Sequence, residues 1–280
     1  MPDVHPSALV DPLAKLAEGV RVGPFCIVGP RVALGPGTRL VSHVSVLGRT
    51  TLGEHNTVWP HAVLGGDPQD LKFGGEDSQL VIGHHNEIRE AVTIHKGTAN
   101  DHGLTQVGDH NLIMAYAHVG HDGIIGNHCV IANAVQLAGH VLMEDHVVIG
   151  GASAVHHFVT LGKHAFIGGM TRVIADAPPF MIAEGNPAMI RRVNSVGLGR
   201  RGFDAGTIRH LKDAWKRLYR QTAEGRAGRT AAALEDLEDA YPHDACIRDL
   251  VAHVRRSSSG TFGRYREALR SDDSRTNPAK

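Results

Sequence analysis

Aliphatic residues recur at every sixth position along most of this chain. From Val4 they fall at Val10, Leu16, Val22, Val28, Leu34, Leu40, Val46, Leu52, Val58 and Leu64. The frame breaks and resumes at Ile82, Ile88 and Ile94, then breaks again and runs from Val107 to Val173 through Val119, Ile125, Leu137, Met143 and Val155. Glycine often follows the aliphatic residue. A helix of period 3.6 cannot produce this spacing, and neither can strand alternation of period 2. A short strand and a tight turn can. Three such units make a triangular coil, and stacked coils make a parallel β-helix, a β-solenoid. The period alone leaves its hand open.

The same period places side chains. Residues three units apart share a face, one coil up, at a strand spacing of about 4.8 Å. Val119, Leu137 and Val155 therefore stack, and His118, His121, His140 and His156 are expected along one face over adjacent coils. His128 and His146 are assigned to another. The two frame breaks predict loops at about 65–81, carrying Asp67, Asp70 and Lys72, and at 95–106, beginning with His95. Loops on a rigid solenoid are where binding groups tend to sit. A tolerated surface insertion is the competing reading.

After Val173 the prolines and glycine of "DAPPFMIAEGNPAMIRRVN" mark a boundary. Residues 1–190 are assigned to the β-helix and 191–280 to an α-helical domain. Its first helix opens at Asp204 as N-cap and buries Ile208, Leu211, Trp215, Leu218 and Tyr219. The second uses Leu234, Leu237 and Tyr241, and the third Ile247, Leu250, Val251 and Val254. From 257 the chain is polar and expected to fray towards its end.

Charge and cysteine content narrow the function classes. The formal net charge is zero, so no global basic field argues for nucleic acid. Locally, residues 191–229 hold eleven Lys or Arg against three acids, which suggests an anionic ligand, with a solvated helix face as the bland alternative. The pair Arg200–Arg201 has no neighbouring acid, which favours phosphate. Cys26, Cys129 and Cys246 are widely spaced and fit a reducing compartment. The N-terminus lacks a signal-peptide core and no apolar run reaches a membrane span, so a cytoplasmic protein is expected.

The segments "GPFCIVGP", "QDLKF", "IREAVTIHKGT", "NLIMAYAHVGHD", "LAGHV", "IGGASAVHHF" and "VGLGRRGF" carry a resemblance. In order and spacing the chain resembles the acyl-carrier-protein-dependent UDP-N-acetylglucosamine O-acyltransferases of the lipid A pathway. The resemblance implies a left-handed parallel β-helix, a homotrimer with sites between subunits, and transfer of an (R)-3-hydroxyacyl group from acyl carrier protein to the glucosamine 3-hydroxyl of UDP-N-acetylglucosamine. By position, His121 matches the general base, Asp122 its orienting carboxylate, and the Gly139 N–H an oxyanion donor. Asp70, Lys72, His95, His118, His140, His156 and His157 match the sugar and pyrophosphate site. Asn194, Arg200 and Arg201 match nucleotide and phosphate contacts, and Gly169 the end of the acyl groove. The resemblance implies no metal and no cofactor, the carrier-bound thioester being a co-substrate. Tyr116, His157, Pro187 and Val196 depart from the commoner pattern.

Three rivals stand beside this reading. A γ-class carbonic anhydrase shares the coil and sets three histidines on zinc; the basic helical domain argues against it. The related N-acyltransferase carries a domain before its β-helix, whereas this repeat begins at Val4. A carrier-protein binder without catalysis is the third.

Overall fold

A computed structural model describes residues 1–99, 101–219 and 231–269. The sixth-position aliphatic residues from Val22 to Val173 lie on short strands and are buried. Val119 pairs with Ile94 below and Leu137 above, and Leu137 with Val155. The strands form three parallel faces of a prism. Among the described residues the first face has eleven strands, the second nine and the third eight. Leu34, Leu64, Ile94, Ile131 and Leu161 belong to one continuous buried core. The edges between faces are tight turns. At the edge from the third face to the first, the second turn residue is His55, His85, His110, His128, His146 or His164, each with φ between 53° and 62°. Beneath this edge, buried Asn56, Asn86 and Asn111 link coils: Asn56 Oδ1 accepts the Asn86 backbone N–H at 2.9 Å, and Asn86 Oδ1 accepts that of Asn111 at 2.8 Å. These bonds satisfy polar groups a corner would otherwise bury unpaired.

Both expected loops leave the solenoid. One joins strands Val63–Gly66 and Gln79–Ile82, the other strands Thr93–His95 and Leu104–Val107. After the last coil a hairpin, Met181–Glu184 with Met189–Val193, continues the first face. Helices α1 (Ser195–Arg200), α2 (Ala205–Tyr219), α3 (Ala231–Ala240) and α4 (Ala245–Ser259) follow. They pack a second core on Phe180 and Met181 through Leu211, Leu218, Leu237, Leu250 and Val251. Asp204 accepts the Thr207 N–H at 3.0 Å, the cap expected for α2. The hairpin and α1 were not anticipated; their short alternations carry little periodic signal. No helix of the described residues is long and apolar enough to cross a membrane.

The stretch after 257 is not frayed where it is described. Tyr265–Leu269 forms a 3-10 helix, and Arg264, Arg266 and Glu267 are buried. They are held by an ion pair and by backbone carbonyls, partners that composition does not reveal. The end of that tail, 270–280, and the basic residues Arg220, Arg226 and Arg229 lie outside the described residues.

Candidate active site

The strand His118–Val119 lies on the second face and feeds a turn in which His121 and Asp122 sit at the edge to the third face. Asp122 has φ +56° and is only 2% exposed. The loop after His95 folds over it. The Asp122 carboxylate accepts the Thr98 N–H at 2.8 Å, the Thr98 hydroxyl at 2.7 Å and His121 Nδ1 at 2.8 Å. Its own N–H donates to Thr105 Oγ1 at 2.8 Å. Burial works against the charged form, but the His121 and Thr98 hydrogen bonds outweigh it and hold the carboxyl below its ordinary value. An ionised carboxylate only accepts, so His121 Nδ1 carries a proton, and in the neutral ring Nε2 is the nitrogen with the lone pair.

Gly139 lies one coil above His121. A Cβ at position 139 would fall 2.7 Å from His121 Nε2, so only glycine leaves this imidazole room. The Gly139 N–H donates to no group among the described residues. A free backbone donor thus borders a ring with a free lone pair.

Around this centre stand imidazoles held neutral. His140 Nδ1 bonds Asp101 Oδ2 at 2.8 Å, its ring meets His121 edge-on at 5.0 Å, and it stacks on Phe158 at 4.3 Å. His118 Nδ1 bonds the Thr93 hydroxyl at 2.7 Å and its ring meets that of His95 at 4.8 Å. Burial, then the neighbouring His95 and His121, push His118 down to about 4. Burial also lowers His95, and it lowers His140 despite Asp101 and Asp122. His95 Nδ1 is buried without a partner among the described residues. Beside it Lys96 is 6% exposed, paired to Asp67 at 3.0 Å and set over the Phe73 ring. A buried lysine and a buried unpaired imidazole nitrogen are costly unless a ligand uses them.

The register refines the expected stack. One coil above His121 is Gly139, then His157; above Asp122 come His140 and Phe158. His156 is therefore not over His140. Its Nδ1 donates to the His157 carbonyl at 3.1 Å, and the two rings lie 3.8 Å apart. Asp70 and Lys72 ride on the exposed first loop, where Asp70 accepts the Lys72 N–H at 3.1 Å. The structure does not draw Asp70 into the hydrogen-bonded group. His121, Asp122 and His140 offer three ligand atoms within 4.8 Å of one another. Hydrogen bonds to Thr98 and Asp101 already account for that closeness.

The remaining candidates occupy other edges. Arg201 Nη1 donates to His146 Nδ1 at 2.7 Å, and Asn194 caps α1 by accepting the Gly197 N–H at 3.2 Å while donating to the His164 carbonyl at 3.0 Å. Arg200 and Arg201 thus sit at the edge from the third face to the first. Gly169 stands at the edge between the first and second faces, where a Cβ would be 3.4 Å from the Gly151 carbonyl. Of the four departures, Tyr116 and Val196 are exposed. Thr93, Thr98, Asp101 and Thr105 were not singled out from sequence, although the loop expected at 95–106 contains three of them, and His146 was only set on another face; side-chain partners carry no periodic signal.

The family model described as UDP N-acetylglucosamine O-acyltransferase, domain 2, matches residues 176–262, and a six-repeat bacterial transferase hexapeptide model matches 104–139. An acyl-[acyl-carrier-protein]–UDP-N-acetylglucosamine O-acyltransferase of Stutzerimonas stutzeri is 46% identical over 253 residues, 89% of this chain and 95% of that protein. The chain belongs to this O-acyltransferase family. A second member, from Saccharophagus degradans, is 46% identical over 92% of this chain and 98% of its own. The solved LpxA of Acinetobacter baumannii is 38% identical with a TM-score of 0.85, covering 90% of this chain and 96% of its own. The UDP-N-acetylglucosamine acyltransferase of Arabidopsis is 35% identical with a TM-score of 0.81, covering 92% and 98%. The coil is therefore the left-handed parallel β-helix of the O-acyltransferases, an exception to the usual right-handed crossover.

Proposed function

We propose that His121 is the general base of an acyl transfer and that Asp122 and Gly139 complete its machinery. The protein is an acyltransferase that moves an acyl group from acyl carrier protein to UDP-N-acetylglucosamine, the first step of lipid A biosynthesis. In our reading the acyl group is (R)-3-hydroxyacyl and the acceptor is the glucosamine 3-hydroxyl. That hydroxyl becomes a competent nucleophile only as its proton leaves. His121 Nε2 takes the proton while the hydroxyl oxygen attacks the thioester carbon, and Asp122 stabilises the imidazolium through Nδ1–H. The oxyanion of the tetrahedral intermediate receives the Gly139 N–H. Collapse breaks the carbon–sulfur bond, and His121 returns the proton to the departing thiolate. No metal or further cofactor enters this scheme.

His95, His118, His140, His156, His157, Asp70 and Lys72 are assigned to the sugar and pyrophosphate. The neutral state of the first three suits hydrogen bonding to hydroxyls. Asn194, Arg200 and Arg201 are assigned to the nucleotide and its phosphates, and Gly169 to the far end of the acyl chain. These sets lie on different edges of one prism, so a site containing all of them needs a second copy. We read the enzyme as a homotrimer with composite sites between protomers, working in the cytoplasm.

The observation carrying the reading is the Thr98–Asp122–His121 chain set against the Gly139 backbone, whose N–H has no acceptor among the described residues. Single-turnover assay with 3-hydroxyacyl carrier protein and UDP-N-acetylglucosamine tests it. His121→Ala should leave the sugar nucleotide bound and the acyl group untransferred; equal loss of binding and transfer would remove His121 from the base role.

A further inference from the structure

The segment beyond α4 makes a strap across the edge that holds His121 and Gly139. Its residues from Gly263 onward lie past the stretch that the O-acyltransferase family model matches. The Gly263 carbonyl accepts the Asp176 N–H at 2.8 Å, and Asp176 Oδ2 accepts the Tyr265 N–H at 3.0 Å. The other Asp176 oxygen accepts the Thr160 N–H at 2.7 Å, so one carboxylate ties strap to coil. Gly263 has φ +71°, and a Cβ there would meet Ala175 at 3.2 Å, so glycine sets this close approach. Arg264 bonds Glu267 at 2.9 Å and the Ile174 carbonyl at 2.6 Å, and both charged side chains are buried. The strap is also held from behind, because Arg256 of α4 lies over the Tyr265 ring at 5.3 Å.

The strap's reach ends on the reaction edge. Arg266 is 5% exposed, and its Nη1 donates to the His140 carbonyl at 2.9 Å, 126 residues away in sequence. Burying a guanidinium in a surface segment is costly unless its donors are used. The carbonyl it grips belongs to the residue directly after Gly139. On the other side of the same turn the His140 N–H donates to the His121 carbonyl at 2.9 Å, and the His140 ring is fixed by Asp101 and Phe158. The Gly139–His140 turn is therefore clamped at its carbonyl, its N–H and its side chain.

We propose that Arg266 is a positioning residue for the acyl transfer: by holding the His140 carbonyl it fixes the Gly139 N–H at the distance from His121 Nε2 that an oxyanion requires. The inference rests on Gly139 as oxyanion donor and extends the machinery to a residue outside the family match. A donor displaced by a fraction of an ångström loses strength in the transition state and not in ground-state binding.

The test uses the full chain, with steady-state kinetics and thermal melting of Arg266→Ala and Arg266→Lys. Arg266→Ala should lower kcat about tenfold with KM for the sugar nucleotide within about twofold. Arg266→Lys, which can still donate to the carbonyl, should recover most of kcat. The Gly139 amide resonance in glycine-labelled protein should shift in the alanine variant and return in the lysine variant. Unchanged kcat in Arg266→Ala overturns the proposal. So does a fall in kcat matched in both variants by a fall in melting temperature with no change at the Gly139 amide, which makes the strap a stability element only. Should Arg266→Ala not fold, the lysine variant decides: near-wild-type kcat and an unshifted amide support the clamp, and a fall in kcat with that amide unshifted refutes it. Because His121→Ala reads the base directly, loss there with wild-type behaviour at Arg266 discards the strap and keeps the mechanism.

Discussion

Two sets of histidines climb this β-helix on neighbouring edges, built from the same turn and the same coil spacing. On the edge from the third face to the first, His55, His85, His110, His128, His146 and His164 stack with centroids 4.6–5.2 Å apart and planes within 17°. All occupy the second turn position, and ring stacks on ring from coil to coil. On the edge from the second face to the third, that position holds Asp122, His140 and Phe158, and His121 takes the first position instead. Its ring meets His140 at 86° and bonds a carboxylate. The difference comes from the loop after His95, which delivers Thr98 and Asp101 to one edge only. In the mechanism proposed above, a histidine serves as the base where a neighbouring carboxylate fixes its tautomer and a glycine leaves its other nitrogen room.

Paired substitutions probe this contrast. His121→Ala should lower kcat by about 10²–10⁴-fold, whereas His128→Ala, the same change on the other edge, should leave kcat within about twofold; steady-state assays of both decide. Gly139→Ala should lower kcat by about a hundredfold through collision with His121, with sugar-nucleotide binding retained by calorimetry. One ladder imidazole bonds a candidate site side chain among the described residues: His146, whose Nδ1 accepts from Arg201. His146→Phe, which keeps the stack and removes the acceptor, should raise KM for the sugar nucleotide by about threefold to tenfold at unchanged kcat.

Acid should unfold the protein through both sets. His118 and His164 are each pushed down to about 4, chiefly by burial. Between about 6.5 and 4 the unfolded chain binds protons that the folded chain refuses. Stability from these groups is thus whole above pH 6.5 and is lost as pH falls towards 4. Urea midpoints at pH 7.5 and 5 should show the loss, and His164→Phe should reduce it. The smallest effect is expected from His110→Ala, which removes two stacking contacts worth about 0.5–1.5 kcal/mol each at most.

The coil was legible because its signal is repeated: one aliphatic residue in six, resumed after two breaks between Val4 and Val173, admits a triangular coil, though not its hand. The residues at the reaction edge were legible in part. Counting by eighteens separates His121 and His140 from His128 and His146 and sets position 139 over 121, but it cannot show that Thr98 and Asp101 reach back from a loop. Loop closure and side-chain hydrogen bonds follow no period. The strap escaped for a related reason, since "GRYREAL" reads as solvent-loving until Arg264 and Glu267 are seen to neutralise each other in a buried pair.

The placement of Arg201 and His121 on different edges has a genetic corollary. In the trimer proposed above, each site would take its imidazole from one protomer and its guanidinium from the next. His121→Ala and Arg201→Ala chains, each defective alone, would then complement when coexpressed. A mixed ring joins one intact base to one intact arginine at a single junction, so random assembly of equal amounts should restore about a quarter of the parental rate. Two inactive alleles would together support growth that neither sustains.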